Sequence, residues 1–455
     1  MEIDPIVAQI DETFTRQFEQ YFGFPNQTPI KSLDEERELL SEIEKATGVK
    51  PAIIYAAFLP QTIAPSSAPS ETQSLNESNQ SKTTRQSNSQ SLEVNQLAQQ
   101  PTQSPEIPKP QDNDQLELVI VTAKEPPIRK RIPGATRKQV FKVAQEFRSQ
   151  VTNVKRPRGY MTSAQQLYQW LVAPLETDLQ GRKIQNLVFM VDTGLRSLPV
   201  AALHDGKGFL IERYSVGLMP SMSLTDTRYK DIKNSRVLAM GAEKFTDQKP
   251  LPAVPVELST ITGGLWQGKT FLDNAFTLEN LKRSRQEEPF GIIHLATHSE
   301  FQPGVPSNSY IQLWNSKLRL DQLRQLGWND PAVELLVLSA CRTALGDEQA
   351  ELGFAGFAVV AGVKSVLASL WYVSDRGTLG LMTEFYEQLN SAPIKAEALR
   401  QTQLAMLKGQ VRLEGGKLRI SRAEIALPPE LAEQGNQTLE HPYYWAAFTM
   451  IGNPW

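Results

Sequence analysis

A histidine and a cysteine each end an apolar run, and together they could carry out nucleophilic chemistry. His298 ends "FGIIHLATH", and Cys341, the only cysteine in the chain, ends "VELLVLSAC". A histidine beside a cysteine can accept the thiol proton and later protonate the departing group. Each residue alone is better explained as a buried core side chain, since free cysteine is among the most buried residue types. The pair predicts chemistry only if the two runs form adjacent strands.

Short apolar runs that alternate with helical patterns would position this pair. From about residue 160 onward the runs include "NLVFMVD", "RVLAMGA" and "GVKSVLASLWYVSD", besides the two that end in His298 and Cys341. Strands that are apolar on both faces and separated by helices are typical of a mainly parallel sheet covered on both sides. The sequence therefore predicts an α/β fold, with functional groups at the carboxyl ends of the strands.

Two aspartates end further apolar runs and are expected at the same edge of the sheet. Asp192 ends "LVFMVD", and Asp375 ends "LWYVSD". Each could contribute a carboxylate to a functional site at that edge. The alternative is that each aspartate caps the helix that follows it, which is common at such junctions.

The N-terminal part of the chain has a different organisation. Residues 1–60 carry two helical patterns, the second opened by Ser32 and Glu35 in capping-box spacing, and end in a predicted strand. Residues 61–114 are mostly Ser, Gln, Asn, Thr and Pro, a composition that predicts disorder. Residues 115–159 contain a predicted strand and helix. We expect a helical and hairpin extension interrupted by the polar stretch, because neither flank can bury a core alone.

The composition excludes several classes of protein. The chain has 455 residues, 40% hydrophobic and 21% charged, with a formal net charge of -3. It shows neither a signal peptide nor a membrane span, so we expect a cytoplasmic protein without membrane contacts. One cysteine and four scattered histidines give no disulfide and no usual metal cluster, so no metal or cofactor is predicted. The basic stretches lack interleaved aromatic residues, which argues against nucleic-acid binding.

A nucleotide-binding alternative comes from residues 263–270, "GGLWQGKT", which match the P-loop expression. A P-loop must follow a strand and open directly into a helix. Here the preceding residues have helical spacing, and "FLDNAF" after them is typical of a strand. We therefore predict a helix end, a turn and a short strand, with the P-loop as the least favoured alternative.

Five segments of the chain form a recognisable set: "HLATHSEF", "LVLSACRTALGD", "GFAGFAVVAGVKSVLASLWYVSD", "DTGLRSLPVAALHDG" and "HPYYWAAFTMIGNPW". They resemble the CHAT domain, a caspase-like cysteine peptidase domain of the clan that includes separase, gingipain and the caspases. The resemblance covers roughly residues 116–455 and implies a caspase-like three-layer sandwich, with the peptidase domain over 160–455. It implies His298 as the general base, Cys341 as the nucleophile and the backbone amides of Ser299 and Cys341 as oxyanion donors.

Ser299 departs from the family pattern, which usually has glycine at this position. If the position demands a positive φ, serine imposes strain of about 1 to 3 kcal/mol, less than the cost of losing an oxyanion donor. The expectation is reduced rather than absent activity, and a higher turnover for Ser299→Gly.

The resemblance also bears on specificity. Acidic residues at these strand ends in related peptidases line the pocket for a basic side chain before the cut bond, which suggests that role for Asp192 and Asp375. Lys82 and Arg85 then become candidate sites of self-cleavage.

The favoured hypothesis is a cysteine endopeptidase that acts on protein substrates through a dyad of His298 and Cys341. The alternative is a catalytically weakened pseudopeptidase that acts as a signalling or scaffold module for a regulatory protein partner.

Overall fold

A computed structural model describes residues 4–60, 110–343 and 345–455. Lys82, Arg85 and most of the stretch predicted to be disordered lie outside the described residues. The described helices are α1 (Asp4–Phe22), α2 (Leu33–Thr47), α3 (Arg137–Val151), α4 (Met161–Leu171), α5 (Glu176–Gly181), α6 (Val254–Thr260), α7 (Leu278–Glu287), α8 (Glu348–Ala355), α9 (Phe357–Ala361), α10 (Asp375–Leu389), α11 (Lys395–Leu407), α12 (Pro429–Ala432) and α13 (Pro442–Trp445).

The strands form one large sheet and one small sheet. They are β1 (Pro51–Leu59), β2 (Gln115–Thr122), β3 (Ile128–Thr136), β4 (Asn186–Val191), β5 (Ser215–Leu218), β6 (Val237–Gly241), β7 (Gly268–Leu272), β8 (Ile292–Phe301), β9 (Tyr310–Gln312), β10 (Lys317–Arg319), β11 (Leu335–Thr343), β12 (Ser365–Ser369), β13 (Arg412–Glu414), β14 (Lys417–Arg419), β15 (Glu424–Ala426), β16 (Gln437–Thr438) and β17 (Phe448–Gly452). The last short strands before β17, β13 to β16, make the small antiparallel sheet.

The large sheet confirms the predicted α/β class. Its main path runs β10-β9-β8-β11-β12-β17-β5-β4-β1-β2-β3, and β6 joins it through β8 with β7 beyond. Parallel pairs dominate around β8, with β11 and β6 beside it and β12 beyond β11. The parallel arrangement brings the carboxyl ends of these strands to one edge, which is where functional groups gather in such sheets.

Apolar layers on both faces of the sheet make the fold a three-layer sandwich. Within β1, Ile53 and Tyr55 pack into the cluster that contains side chains of α1 and α2, while Ile54 and Ala56 pack into the main core on the opposite face. Successive side chains of a strand point to opposite faces, so a strand covered on both sides must be apolar at every position. This is why the run "AIIYAAFL" lacks an alternating pattern.

The N-terminal segments continue the same sheet. β1 pairs antiparallel with β2 from Ala52 opposite Thr122 to Leu59 opposite Gln115, and it lies parallel to β4 on its other side. Helix α2 has the capping box that the sequence predicts, with the Ser32 hydroxyl accepting from the Glu35 amide. The strand contributed by the first sixty residues therefore lies inside the sheet rather than at its periphery.

The P-loop alternative is wrong. Helix α6 continues into a π-helical turn at Ile261–Leu265, and β7 begins at Gly268. No helix opens directly after Lys269, whose ammonium lies 3.3 Å from a carboxylate oxygen of Glu288. The structure instead has the helix end, turn and short strand that the residue pattern predicts. Among the described residues, no helix is long and apolar enough to cross a membrane.

Candidate active site

His298 and Cys341 lie on neighbouring parallel strands, β8 and β11, near their carboxyl ends. Both residues line one cavity of about 330 Å³. The other residues that line this cavity are Asp247, Gln248, Lys249, Ser299, Glu300, Ala340, Arg342 and Tyr372. The sheet topology thus brings the histidine and the cysteine to a common opening.

A β-bulge sets the two side chains out of register. Leu338 lies opposite Leu295, but Ala340 lies opposite His298, so β8 contains one extra residue over this stretch. Cys341 therefore lies opposite Ser299 rather than opposite His298. Because residues opposite each other on parallel strands share a face, His298 and Cys341 are directed to different faces of the sheet. No hydrogen bond joins the two side chains in the described structure.

The imidazole of His298 is oriented by a backbone carbonyl. Its Nε2 donates to the carbonyl oxygen of Lys249 over 2.7 Å, which leaves the lone pair on Nδ1. The ring of Phe245 packs edge-to-face with it at a centroid distance of 4.9 Å, and the ring of Tyr372 lies nearly parallel to it at 6.3 Å. Burial lowers the pKa of His298, so the ring is neutral at neutral pH and can accept a proton.

The thiol of Cys341 is fully buried. Its Sγ lies 3.6 Å from the carbonyl oxygen of Leu338, and burial raises the pKa of Cys341 to about 12. The Cys341 amide, the predicted oxyanion donor, donates to the Ser369 hydroxyl over 3.2 Å. In this conformation both the thiol and the amide of Cys341 are engaged within the protein.

Ser299 shares the buried face with Cys341. Its side chain lowers the pKa of the thiol, and its Oγ makes no hydrogen bond of ordinary geometry within the described structure. The non-glycine residues with a positive φ in the described chain are Lys183 and Asp273. Ser299 has ordinary strand geometry, so the expectation of backbone strain there is wrong, and with it the reason given for a gain of turnover in Ser299→Gly.

Asp192 lies away from this cavity. It follows β4, which is four strands from β11, or about 19 Å at the usual strand spacing. Its carboxylate accepts from the amides of Phe58 and Thr193 over 3.2 and 2.7 Å. Burial raises the pKa of Asp192, although the charge of Arg196 opposes this effect.

Asp375 lies closer, on the first turn of α10. Ser374 is the N-cap of that helix, so the helix-capping alternative for Asp375 is wrong. The Asp375 carboxylate instead accepts from the amide of Ala253 over 2.6 Å, at the end of the loop that carries Lys249. Burial, with the nearby charges of Glu257 and Glu243, raises the pKa of Asp375 to about 7. Asp375 does not line the cavity beside His298.

The sequence analysis did not identify several residues of this region. Ser369 ends the run "SVLAS", so the same strand-end rule could have identified it. The role of the Lys249 carbonyl cannot be predicted from the sequence, because every residue type has a backbone carbonyl. Glu300 and Arg342 lie opposite each other on the two strands and line this cavity and a second one of about 530 Å³.

Within the described residues, no group of three or more His, Cys, Asp or Glu side chains could hold a metal ion.

Comparison with known proteins gives the family. The sequence profile of the CHAT domain matches residues 162–453, which include His298 and Cys341. The chain belongs to the CHAT domain family. Its CHAT domain begins within α4 and ends after β17, so it contains most of the large sheet. None of the curated proteins matches this chain.

Solved structures with similarity to this CHAT protein are distant in sequence. Separase of Saccharomyces cerevisiae, in its complex with securin, is 10% identical with a TM-score of 0.45, covering 93% of this chain and 31% of separase. The complex of Porphyromonas gingivalis RgpB pro- and mature domains is 11% identical with a TM-score of 0.41, covering 71% of this chain and 77% of the other. The chain thus spans less than a third of the length of separase.

Proposed function

We propose that this CHAT protein is a cysteine endopeptidase with His298 as general base and Cys341 as nucleophile. The observation that carries the proposal is the oriented imidazole of His298, on the strand adjacent to the one that carries the chain's only cysteine. A base held by a third group, next to a thiol, is the arrangement that nucleophilic catalysis requires.

The proposed reaction is hydrolysis of a peptide bond. Nδ1 of His298 takes the thiol proton as Sγ attacks the carbonyl carbon, and the amides of Cys341 and Ser299 stabilise the oxyanion. The imidazolium then protonates the departing amine, leaving a thioester. Water attacks the thioester with His298 as base, which releases the acid and restores the thiol.

This reaction requires a shift from the conformation described above. If the bulge in β8 moved beyond His298, the register that holds up to Leu338 would continue, and His298 would lie opposite Cys341 on the same face. A one-residue slip is the smallest change that achieves this. We propose that a substrate or a regulatory protein partner in the cavity drives this slip, so that the resting protein is latent.

A preference for a basic residue before the cut bond is part of the proposal, with Asp375 and Asp192 as the carboxylates to test. Asp375 is the stronger candidate, because its hydrogen bond to Ala253 connects it to the loop that lines the cavity. A desolvated carboxylate would pair with arginine or lysine. Asp192 is already occupied by two backbone amides.

The second candidate function is a pseudopeptidase that acts as a signalling or scaffold module. The observation that favours it is the fully buried thiol, whose pKa is raised to about 12. Such a module would bind protein partners through the same cavity without ever exposing Cys341.

A peptide library and a thiol-reactive peptide probe distinguish the two functions. The peptidase predicts cleavage by the wild-type chain that Cys341→Ala abolishes, with labelling of Cys341 that His298→Ala abolishes. Asp375→Asn should remove any preference for basic residues, while Asp192→Asn serves as the matched comparison. Mass spectrometry of the purified chain tests self-cleavage at Lys82 and Arg85. Binding of library peptides with neither cleavage nor labelling would establish the pseudopeptidase instead.

A further inference from the structure

A third cavity, of about 740 Å³, lies away from His298 and Cys341 and has no role in the proposed peptidase reaction. It is formed where the loop after α3, the turn at residues 204–209, the end of α11 and the segment before α13 meet. Ligand sites in proteins commonly have volumes of about 300 to 1,000 Å³, so a small organic molecule would fit.

Two of the four histidines line this cavity, and both have the same fixed tautomer. Nδ1 of His204 accepts from the amide of Gly206 over 2.9 Å, and Nδ1 of His441 accepts from the amide of Tyr443 over 3.0 Å. A ring nitrogen that accepts from an amide carries no proton, so each neutral ring has its proton on Nε2. Burial lowers the pKa of both histidines, which favours this neutral form.

These two Nε2 atoms are donors without partners among the described residues. Nε2 of His441 is buried and makes no hydrogen bond, and nothing in the described chain accepts from Nε2 of His204. The buried Nε2 of His441 without a partner costs on the order of 1 to 3 kcal/mol, a cost that a bound acceptor would remove. A metal ion would need a lone pair on Nε2, so the fixed tautomers point to a ligand that accepts hydrogen bonds rather than to a metal.

Aromatic rings connect the two histidines. The ring of His204 meets Phe209 at a centroid distance of 4.9 Å, Phe209 lies 6.3 Å from Tyr160, and Tyr160 meets His441 at 5.5 Å. Tyr444 also lines the cavity. This wall offers edges and faces against which a planar ring could pack.

Cations lie at the same cavity. Arg158 and Lys207 are exposed, line the cavity and form no ion pair with other described residues. Glu440 is the carboxylate that lines it. The cavity thus combines two cations, two neutral imidazole donors, aromatic rings and one acceptor. Phosphate fits the cations, a heterocyclic base fits the rings and the imidazole donors, and Glu440 could accept from a sugar hydroxyl or an exocyclic amine.

We propose that this cavity binds a mononucleotide, with its phosphate at Arg158 and Lys207 and its base between the aromatic wall and the two histidines. The site would be separate from the peptidase site, and the proposal does not depend on peptidase activity.

Isothermal titration calorimetry of the full chain with AMP, GMP and UMP tests this proposal, with adenosine and inorganic phosphate as partial ligands. At least one nucleotide should bind, and its nucleoside and phosphate alone should bind at least about tenfold more weakly. Absence of binding by all three nucleotides, or equal binding of nucleoside and nucleotide, would overturn the assignment.

Variants locate the binding. His204→Asn and His441→Asn keep a side-chain acceptor for the backbone amide and remove the Nε2 donor, so each should weaken nucleotide binding by about tenfold. Lys207→Gln, at an exposed position where folding is not at risk, should weaken nucleotide binding but not nucleoside binding. Lys142→Gln, whose side chain is 77% exposed outside the cavity, should change neither affinity. Unchanged affinity in both histidine variants and in Lys207→Gln would place the nucleotide elsewhere and contradict the proposal.

Discussion

Cys341 lies directly opposite Ser299 on the neighbouring strand, and His298 lies opposite Ala340. One extra residue in β8 causes this offset. Up to Leu338 the two strands keep a register that, if continued, would pair Cys341 with His298. Since a one-residue slip reverses the face to which each side chain points, a shift of β8 by one residue would bring His298 and Cys341 to the same face of the sheet.

The buried thiol predicts slow alkylation of the resting protein. A pKa raised to about 12 lowers the thiolate fraction at neutral pH about a thousandfold, and the greater nucleophilicity of a more basic thiolate offsets part of this loss. Iodoacetamide should modify the folded chain at least about thirtyfold more slowly than the urea-unfolded chain. Mass spectrometry reports this directly, because Cys341 is the only cysteine. Equal rates in the two states would contradict the buried placement.

Thr297 lies in the bulged stretch of β8, and its hydroxyl donates to the carbonyl of Gln312 over 2.6 Å. Thr297→Val keeps the shape of the side chain and removes this hydrogen bond, worth about 1 kcal/mol. If the bond is made only in the bulged register, the in-register form becomes about fivefold more populated. Alkylation of Cys341 should then be about fivefold faster.

Thr343→Val is the matched control for that experiment. Thr343 is a buried threonine on β11 whose hydroxyl has no hydrogen-bond partner in the described structure. Its replacement should leave the alkylation rate unchanged. A similar acceleration in both variants would mean that general loosening of the sheet edge, rather than the register of β8, exposes the thiol.

The fold class could be predicted from the sequence because it depends on hydrophobic patterns to which many residues contribute. Apolar runs separated by helical patterns suffice to predict a covered parallel sheet, and strand ends suffice to predict His298 and Cys341 near one opening. The order of strands does not follow from such patterns. Asp192 and Cys341 end equally convincing runs, yet four strand spacings separate β4 from β11.

The bulge in β8 could not be predicted from the sequence, for a different reason. "HLATHSEF" reads as an uninterrupted strand, and the extra residue becomes visible only when the register against β11 is known. The family-based expectation for Ser299 failed in the same way. The glycine that the family usually has at this position suggests a positive φ, but Ser299 is not among the residues with a positive φ. Backbone angles cannot be read directly from a sequence.

Ser299→Ala tests what the serine does contribute. Its hydroxyl lowers the pKa of Cys341 and lacks a hydrogen bond of ordinary geometry. Alanine should raise the thiol pKa further, so that alkylation at a given pH becomes slower. The free energy of unfolding should change by less than about 1 kcal/mol, because no satisfied hydrogen bond is lost. Faster alkylation in Ser299→Ala would show that the hydroxyl shields the thiol rather than stabilising its thiolate.

A second histidine of β8 has a structural role that can be measured. His294 is fully buried, with Nε2 2.7 Å from Oε1 of Glu257 and Nδ1 3.1 Å from the hydroxyl of Tyr386. His294→Ala leaves Glu257 buried without its partner, so the free energy of unfolding should fall by about 3 kcal/mol in urea denaturation. Tyr386→Phe removes one hydroxyl and keeps the ring, and should cost only about 1 kcal/mol. Equal losses of stability in the two variants would refute the importance assigned to the pair of His294 and Glu257.

Asp375 predicts a pH dependence of stability. Its pKa is raised from 3.8 to about 7 in the folded chain, chiefly by burial, so between these values the folded protein holds a proton that the unfolded chain has released. The contribution of Asp375 to the free energy of unfolding therefore decreases as pH rises from about 4 to about 7. Asp375→Asn should remove this decrease, since its amide oxygen can still accept from Ala253.

Urea denaturation of both proteins at several pH values measures the effect. The stability of Asp375→Asn relative to wild type should rise through the window from pH 4 to 7 and level off above it. Glu36 and Asp11, whose pKa values are also raised by burial, are present in both proteins and cancel in this comparison. Asp231→Asn, at an exposed aspartate, should give a curve parallel to wild type. A curve for Asp375→Asn that is also parallel to wild type would mean that Asp375 stays ionised in the folded protein, and would favour its availability to pair with a basic substrate residue.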